Sequence, residues 1–486
     1  MLLPCRPCCK GCGIADGKPR TDPETEGTWV PSGTWVGGGV TWTFAPNTSG
    51  AGGETWFFFG SAATSKPGGG ATPAEYQDWG NLCNWYSNKT TTPSSGSSIT
   101  TVLDKRATRL PPADAVVHIY SPVSTNSTGP VTVKNAYFWA VNRAVTFTST
   151  SELTASSPAH DSVAGSICYG SSYSFYNNGT INGGAAFIQR AENSGSAAVV
   201  NGGATFGRST CNNRDGATVN GGASFSNDAR NRDAIVNGGA EFNDAWNYTG
   251  GVVNGDAVFT AGALNNGAVH GGATFSGGSM NQGGGLVGGD ATFNDSSRNN
   301  RAVVNGHGTF NGTSWNAFDA IVNGGAIFND STRSRDGAIV HGGAVFNGDS
   351  RNEYGAIVYD GAVFNGTSRN NSTVNGGATF NDHTGSGANT TVNGGATFNN
   401  TSSTSNYTTI NGGATFNHAS WNDGLATVNG GATFNDAACS FRTVGNLANC
   451  PGVGKVMYVA HPTDLPTCNG TAPEACSSPA TFCGCG

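Results

Sequence analysis

The sequence predicts an all-β fold, a single-stranded β-solenoid with three sides, on three observations. A phrase that reads Val-Asn-Gly-Gly-Ala-Thr-Phe-Asn in its clearest copies recurs fifteen times between residues 178 and 438. Its phenylalanines follow one another at intervals of 16 to 19 residues, most often 18. Alternation such as Ala-Thr-Phe is typical of strands, and the 3.6-residue period of helices is absent. A short fixed period indicates a solenoid, in which each coil buries its surface only against its neighbours.

Three six-residue units make up the predicted coil of 18 residues. The aliphatic residue precedes the Phe by six positions in all fifteen copies, as Val322 precedes Phe328. An Asn follows the Phe by six positions in ten copies, namely Asn193, Asn212, Asn231, Asn265, Asn281, Asn299, Asn316, Asn352, Asn370 and Asn422. We expect Val, Phe and Asn to point inward from the three sides. The buried Asn side chains should bond to one another, because buried amides need partners.

The chain divides into five predicted segments around this repeat. Residues 1–26 form a Cys-rich N-terminal segment, 27–113 an aromatic and Thr-rich β cap, 114–180 irregular first coils, 181–438 the regular solenoid and 439–486 a Cys-rich C-terminal cap. With strands roughly 4.8 Å apart, the fifteen regular coils would extend about 70 Å. The β cap holds six of the ten Trp. We interpret these as core residues, with a sugar-binding platform as the alternative.

Parts of the sequence resemble known families. The six-residue spacing resembles the left-handed β-helix of hexapeptide-repeat proteins, but the catalytic His residues and acyl-carrier sites of that family's transferases are not found. The strings from Trp79 to Trp85 and from Leu110 to Ile119 resemble the segment that precedes the first coil in many secreted or surface β-solenoids of bacteria and their viruses. That resemblance implies a solenoid that starts near residue 114. The repeats resemble Asn-Gly-rich repeat proteins of bacterial and viral genomes, and phage tail fibres and bacterial adhesins use such coils.

The composition argues against several classes of function. The net charge is −7 and 11% of the residues are charged, so no basic surface indicates nucleic-acid binding. No stretch approaches the roughly 18 apolar residues of a membrane-spanning helix. No phosphate-binding loop or calcium-binding nonapeptide is present, so we expect no cofactor.

The thirteen cysteines cluster towards the two ends of the chain. We expect disulfide bonds, formed in an oxidising setting, in the C-terminal cap. The cysteines concerned are Cys439, Cys450, Cys468, Cys476, Cys483 and Cys485. The N-terminal group, which comprises Cys5, Cys8, Cys9 and Cys12, is interpreted in the same way. A zinc site of four thiolates is the alternative there, although the two abutting pairs are closer together than in the usual zinc-binding spacing.

The first ten residues conflict with this extracellular interpretation. They contain no apolar stretch of the kind found in an ordinary secretory signal peptide. A virion component resolves the conflict, because cell lysis releases it without secretion, and a bacterial protein with another export route would also resolve it. We therefore expect an extracellular or virion-surface location.

One outward column is a candidate ligand-binding face. It lies five residues after each Phe and reads Arg298, Trp315, Arg333, Arg351 and Arg369 in consecutive coils. Stacked guanidinium groups with an interleaved Trp suit an acidic glycan, carboxylates on a partner, or a ring stacked on Trp315. The alternative is a solvated face whose Arg residues keep a repetitive protein soluble.

Two further outward columns are aliphatic and are candidates for an oligomer interface. One precedes the inward Val and contains Val303, Ile321, Ile339 and Ile357. The other precedes the Phe and contains Ile327, Val345 and Val363. Exposed apolar residues in a contiguous patch usually meet a partner, although strand propensity alone also explains β-branched residues. Both columns continue as Thr, as in ice-binding solenoids, but the Asn that follows each inward residue argues against that function.

The sequence gives little support to catalysis. The acidic residues of the repeats, such as Asp295 and Asp330, lie two positions after the Phe, where turn formation explains them. A depolymerising enzyme would need clustered acids on one face, and the nearest set is Asp228, Asp233, Glu241 and Asp244. We therefore expect a protein that is not an enzyme.

These inferences combine into one functional hypothesis with two alternatives. The first is a structural and binding protein, the rod-like shaft of a virion tail or capsid fibre. Its partners would be copies of itself, other fibre proteins and surface glycans. The second is a bacterial surface adhesin or extracellular filament protein. The third is a glycan-depolymerising tailspike.

Overall fold

The computed structural model of the protein describes most of the repeat region and shorter pieces before and after it. The described residues are 27–31, 42–46, 55–58, 85–87, 110–113, 115–119, 123, 125, 128–140, 145–147, 151–155, 166–207, 210–405, 407–422, 426–430, 432–435, 438–440 and 455–456. Every regular element among them is a β-strand. No helix in this part of the chain is long and apolar enough to span a membrane. The residues form two compact units, Met1–Gly255 and Asp256–Gly486.

The structure confirms the predicted all-β, three-sided solenoid. Each coil places one short strand on each of three faces, and each strand pairs in parallel with its equivalent in the next coil. We name the faces after their inward residue: the Val face, the Phe face and the Asn face. The register is strict, so that Phe310, Phe328 and Phe346 are direct partners. Each inward Phe therefore stacks on the Phe of the next coil.

The second unit has the more regular coils. Its Phe face comprises Ala257–Thr260, Ala273–Phe275, Ala291–Phe293, Gly308–Phe310, Ala326–Phe328, Ala344–Phe346, Ala362–Phe364, Ala378–Phe380, Ala396–Phe398, Ala414–Phe416 and Ala432–Phe434. Its Asn face comprises Leu264–Asn265, Met280–Gln282, Arg298–Asn300, Trp315–Ala317, Arg333–Ser334, Arg351–Asn352, Arg369–Asn370, Gly385–Ser386, Trp421–Asn422, Cys439–Ser440 and Lys455–Val456. Its Val face comprises Ala268–Val269, Leu286–Val287, Val303–Val304, Ile321–Val322, Ile339–Val340, Ile357–Val358, Thr373–Asn375, Thr391–Asn393, Thr409–Ile410 and Thr427–Val428.

The first unit contains the same three faces after an irregular start. Its Phe and Asn faces comprise Ala185–Ser194, Ala204–Gly207, Asn212–Arg214, Ala223–Ser226, Arg230–Arg232, Ala240–Asn243 and Trp246–Asn247. Its Val face comprises Thr180–Asn182, Val199–Asn201, Thr218–Asn220, Ile235–Asn237 and Val252–Val253. The earlier strands are Gly27–Pro31, Trp42–Pro46, Thr55–Phe58, Trp85–Ser87, Val116–Ile119, Val131–Val133, Asn135–Ala140, Val145–Phe147, Glu152–Ala155 and Ser166–Asn177.

The strand Thr55–Phe58 connects the aromatic segment to the coils. It pairs in parallel with Val116–Ile119 and antiparallel with Trp85–Ser87. Its Trp56 and Phe58 side chains are buried. The predicted N-terminal group Cys5, Cys8, Cys9 and Cys12 lies outside the described residues. So do the C-terminal cysteines, except for the backbone of Cys439.

Stacked phenylalanine rings fill the core beside the Phe face. From Phe259 to Phe416 the ring centroids of neighbouring coils lie 4.7 to 4.9 Å apart, with interplanar angles of 4 to 8°. All these rings are fully buried, and so are the inward Val residues such as Val322 and Val340. The ring spacing equals the strand spacing, so each Phe packs against its copies in both neighbouring coils.

The Asn side chains of the third face form a fully buried ladder, as expected. In the second unit, Asn265, Asn281, Asn299 and Asn316 are joined by bonds from Nδ2 to the next Oδ1 of 2.8 to 2.9 Å. In the first unit the same bonds join Asn177, Asn193, Asn213, Asn231 and Asn247. The prediction of Asn212 was wrong, because that coil carries one additional residue after its Phe. Asn247 was missed because it comes one residue early after Phe242, and Asn177 because it precedes the first of the fifteen repeat phenylalanines.

Two further Asn ladders follow the corners of the coil. In the second unit, the residue after the Phe is Asn in nine consecutive coils, from Asn294 to Asn435. These nine side chains form one ladder with eight bonds of 2.8 to 2.9 Å. The other follows the inward Val and has two stretches in the second unit, one of Asn305 and Asn323 and one of Asn375, Asn393, Asn411 and Asn429, with bonds of 2.7 to 3.0 Å. Between these stretches lie His341 and Tyr359, whose rings stack 4.9 Å apart. The Asn residues that punctuate the sequence therefore hold successive coils in register.

Glycine is required at the corner between the Val and Phe faces. A Cβ added to Gly324 would lie 2.6 Å from the backbone carbon of Gly306 in the preceding coil. The next residue, Gly325, has φ of 91°, which L side chains rarely adopt. Where both residues are glycine, as at Gly324 and Gly325, the corner carries no side chain and the backbones of neighbouring coils approach each other closely. His307 and Asp360 occupy this corner in two nearby coils.

Truncation of one stacked ring should test the inward assignment. We expect Phe328→Ala to cost about 3–5 kcal/mol, because Phe310 and Phe346, at 4.8 and 4.7 Å, cannot close the cavity without breaking their own stacking. Thr397→Ala, on the outward side of the same face, should cost less than about 1 kcal/mol. Denaturant unfolding of the two variants measures the difference, and equal losses would contradict the assignment.

Candidate functional site

The predicted Arg and Trp residues occupy one outward column of the Asn face. Arg298 pairs with Trp315, Trp315 with Arg333, and the register continues through Arg351 to Arg369. Alternation along each strand explains the arrangement, because the neighbouring Asn or Ser points inward. The first four side chains are half-buried and Arg369 is exposed. The structure thus brings the five predicted residues together on one surface.

Trp315 is covered by guanidinium groups from the coils on either side of it. The guanidinium carbon of Arg298 lies 4.5 Å from the ring centroid, and that of Arg335 lies 4.8 Å from it. Arg335 also lies 5.2 Å from the centroid of Tyr354, which is 64% exposed. Such contacts stabilise the cation and hold the ring in place. A ligand ring would have to displace an arginine to stack on Trp315, whereas Tyr354 remains open to solvent.

Acidic side chains of the same face pair with most of the arginines. Arg333 Nη1 lies 3.1 Å from Oε1 of Glu353, whose side chain is 5% exposed. Arg335 Nε lies 2.7 Å from Asp336, and Arg351 Nη2 lies 3.2 Å from Asp349. Arg369 differs, because no other described residue forms an ion pair or a ring contact with it. Arg369 is therefore the arginine of this column that a ligand could reach without displacing an ion pair or a ring contact with a described residue.

The first unit carries a similar cluster that the sequence analysis missed. Arg230 pairs in register with Trp246, and its guanidinium carbon lies 4.7 Å from the Trp246 ring and 5.9 Å from that of Tyr248. The Trp246 and Tyr248 rings stack 5.9 Å apart. Trp246 is four residues after its Phe instead of five, so a fixed offset from Phe passes over it. Alignment on the inner Asn, here Asn247, would have found it.

The predicted aliphatic columns flank the glycine-rich corner. Val303, Ile321, Ile339 and Ile357 are in register on the Val face and half-buried. Ile327, Val345 and Val363 are in register on the Phe face, and Ile327 is 43% exposed. The second column borders a groove of about 880 Å³ along the Gly-Gly corner. Beyond Val363 the groove continues past Thr379, Thr397, Thr415 and Thr433.

The acidic residues lie in the turns at the corners of the coil. Asp295, Asp330 and Asp382 have φ of 59 to 60°, and their carboxylates accept bonds from the backbone N–H of Gly277, Gly312 and Gly366. Asp228, Asp233 and Asp244, from the set considered for catalysis, also have positive φ. Among the described residues no group of three or more His, Cys, Asp or Glu could hold a metal ion.

Two cysteines of the first unit, Cys168 and Cys211, are fully buried. Cys168 takes the place of a Phe in the core, opposite Phe138 and Phe187. Burial, with a smaller contribution from Cys211, raises the pKa of the Cys168 thiol well above its ordinary value. The thiolate is the reactive form of cysteine, and a raised pKa disfavours it. We therefore interpret Cys168 as a packed core residue and not as a nucleophile.

The buried carboxylate should contribute more to stability than the exposed one. We expect Glu353→Gln to cost about 1.5–3 kcal/mol, because it removes the charged partner of Arg333 where water cannot replace it. Asp349→Asn is the matched control, since the Asp349 side chain is 48% exposed, and it should cost less than about 1 kcal/mol. Thermal unfolding of both variants measures the two costs, and an equal loss would show that the Arg333–Glu353 pair is a surface interaction.

No family model matches the sequence, and comparison with curated proteins and with solved structures also finds no match. The parallel register and the repeated inward residues establish the solenoid architecture. The resemblance to fibre and adhesin repeats is one of sequence pattern. The chain is thus a repetitive β-solenoid whose function has to be argued from its surfaces.

Proposed function

We propose that this chain is a non-enzymatic structural and binding protein, the shaft of a virion tail or capsid fibre. The observation that carries the proposal is the pair of aliphatic columns in strict register beside a glycine-rich corner. A solenoid that acts alone gains nothing from aliphatic residues on its outward side. A shaft that assembles with neighbours can bury them along successive coils.

The energetics favour association through several coils together. Each side chain of the column from Val303 to Ile357 is half-buried, so association removes only part of its surface from water. At about 25 cal/mol per Å², each contributes roughly 1 kcal/mol. Four residues on the Val face and three on the Phe face then contribute several kcal/mol, before the cost of lost translational and rotational freedom. Such a sum supports assembly with copies of the chain or with other fibre proteins at high local concentration.

The Asn face is proposed as the ligand-binding surface of the shaft. Arg369 is exposed and has no ion pair with a described residue, and Tyr354 offers an open ring next to Arg335. A carboxylate-bearing glycan suits this pair of features, because guanidinium groups bind carboxylates in a bidentate manner and sugar rings pack on aromatic faces. The other members of the column, Arg298, Trp315, Arg333 and Arg351, would act mainly by holding this surface in place.

A bacterial surface adhesin or filament protein remains the first alternative, since it would use the same assembly and the same ligand face. A neighbourhood of capsid or tail genes favours the fibre, and a neighbourhood of export genes favours the adhesin. A depolymerising tailspike is the second alternative. Turnover of an acidic polysaccharide by the purified protein would favour it over both others.

Introduction of positive charge into the aliphatic column should test the assembly. We expect the double substitution Ile321→Lys and Ile339→Lys to lower the sedimentation coefficient of the native assembly to that of a single chain. The two ammonium groups would be stacked about 4.8 Å apart in the interface. Each chain should remain folded, because the long Lys side chains can extend into solvent.

Thr391→Lys with Thr409→Lys is the matched control. These residues continue the same column and are partners in register, but they lie outside its aliphatic part. This variant should sediment as the native protein does. A native protein that is itself a monomer at physiological concentration would contradict the proposed assembly, and the aliphatic residues would then reflect strand propensity alone.

A further inference from the structure

Three large side chains occupy a left-handed turn position between the Asn and Val faces of the second unit. The position comes two residues after the inward residue of the Asn face, and in five consecutive coils its φ is 52 to 59°. The occupants are Gly283, Arg301, Phe318, Asp336 and Tyr354. Glycine and aspartate tolerate this region of φ, whereas a bulky side chain there is strained. Strain of this kind is concentrated at functional sites, so Arg301, Phe318 and Tyr354 need an explanation beyond turn formation.

The two aromatic side chains are exposed, and each contacts an arginine of the preceding coil. Phe318 is 37% exposed and Tyr354 is 64% exposed. The guanidinium carbon of Arg301 lies 5.8 Å from the Phe318 centroid, and that of Arg335 lies 5.2 Å from the Tyr354 centroid. Guanidinium groups and rings therefore alternate over four consecutive coils, and Arg369 continues the alternation in the fifth. We call these five residues the corner strip.

The charge along the corner strip is uneven. Arg301 and Arg369 are exposed, and neither has an ion pair with a described residue. Arg335 is less open, because its Nε lies 2.7 Å from Asp336. Asp319 follows the first ring of the strip directly in sequence and is exposed. The corner strip therefore attracts an anionic group at each of its two ends and disfavours one at the first ring.

The spacing of the corner strip fits one sugar per coil. Successive coils are about 4.8 Å apart, which is close to the length of one pyranose unit in an extended glycan chain. Two rings separated by two coils would therefore stack on alternate sugars of such a chain. On the basis of the proposed glycan-binding function, we propose that the corner strip binds an extended glycan in which sugars with a carboxylate alternate with uncharged sugars. The uncharged sugars pack on Phe318 and Tyr354, and the carboxylates bind Arg301 and Arg369.

Calorimetric titration of the native chain with three hexasaccharides tests the charge pattern of the ligand. The first probe alternates glucuronate with N-acetylglucosamine, the second contains mannuronate alone, and the third contains N-acetylglucosamine alone. The first should bind about tenfold more tightly than the others, because the second places a carboxylate beside Asp319 and the third offers none to Arg301 and Arg369. Equal affinities, or no binding of the first probe, would overturn the proposal.

Substitution of the two rings tests the site itself. Phe318→Asn and Tyr354→Asn should each weaken binding of the first probe about tenfold or more, because each removes a stacking surface. Asn tolerates the left-handed region, so the melting temperature of either variant should equal or exceed that of the native chain. Tyr407→Asn is the matched control and should leave the affinity unchanged. Tyr407 is 59% exposed and has φ of 61°, but its ring contacts no described guanidinium group.

Arg369→Gln separates failure of the corner-strip proposal from failure of the proposed glycan-binding function. If this variant weakens binding of the first probe while both ring variants bind it as the native chain does, the glycan lies on the Asn face away from the rings. The corner-strip proposal is then overturned and the proposed glycan-binding function stands. If the native chain binds none of the three probes, both are overturned.

Discussion

The in-register stacking of each coil on its own copy is the constraint on which the rest of the structure depends. A parallel ladder fixes the distance between equivalent residues at the strand spacing of about 4.8 Å. Only some side chains fit that spacing against themselves. Phenylalanine does so with rings stacked 4.7 to 4.9 Å apart, and asparagine does so because its amide donates to the next amide along the column. The inward Phe and Asn of the repeat are residues that can pack against their own copies at this spacing.

The outward surface is free of that condition, and its chemistry varies along the chain. The column of Ile321, Ile339 and Ile357 continues as Thr373 and Thr391 with no change of register. The Phe-face column makes the same change from Val363 to Thr379. Both columns thus change from aliphatic to hydroxyl-bearing side chains at the same coil. The backbone does not require this change, which is why the aliphatic part supports a proposal about function.

Much of the fold could be predicted from the sequence because the coil length is nearly constant. The six-residue interval between Val and Phe places Val322 and Phe328 inward without ambiguity. The prediction failed where coil length varies after the Phe: Asn213 takes the place expected of Asn212, and Asn247 comes one residue early. Each error has the same physical cause, since an added or lost residue changes the turn while the inner Asn keeps its place in the ladder.

The position of the candidate site could be predicted from the sequence, but the contacts between its side chains could not. The column from Arg298 to Arg369 follows from the repeat. The pairing of Arg333 with Glu353, twenty residues later, depends on the path of the turn between the Asn and Val faces. The contact between the Arg335 guanidinium group and the Trp315 ring depends on the path of the same turn. These contacts determine how much charge and ring surface a ligand could use.

Disulfide formation between outward cysteines tests the in-register stack most directly. Thr379 and Thr397 are partners in adjacent coils, so their Cα atoms lie about 4.8 Å apart, within the range that a disulfide spans. The account predicts that Thr379→Cys with Thr397→Cys forms a disulfide on mild oxidation, as identified by peptide mapping. Thr379→Cys with Thr415→Cys, two coils apart at about 10 Å, should leave both thiols free. Cross-linking of the second pair and not the first would contradict the account.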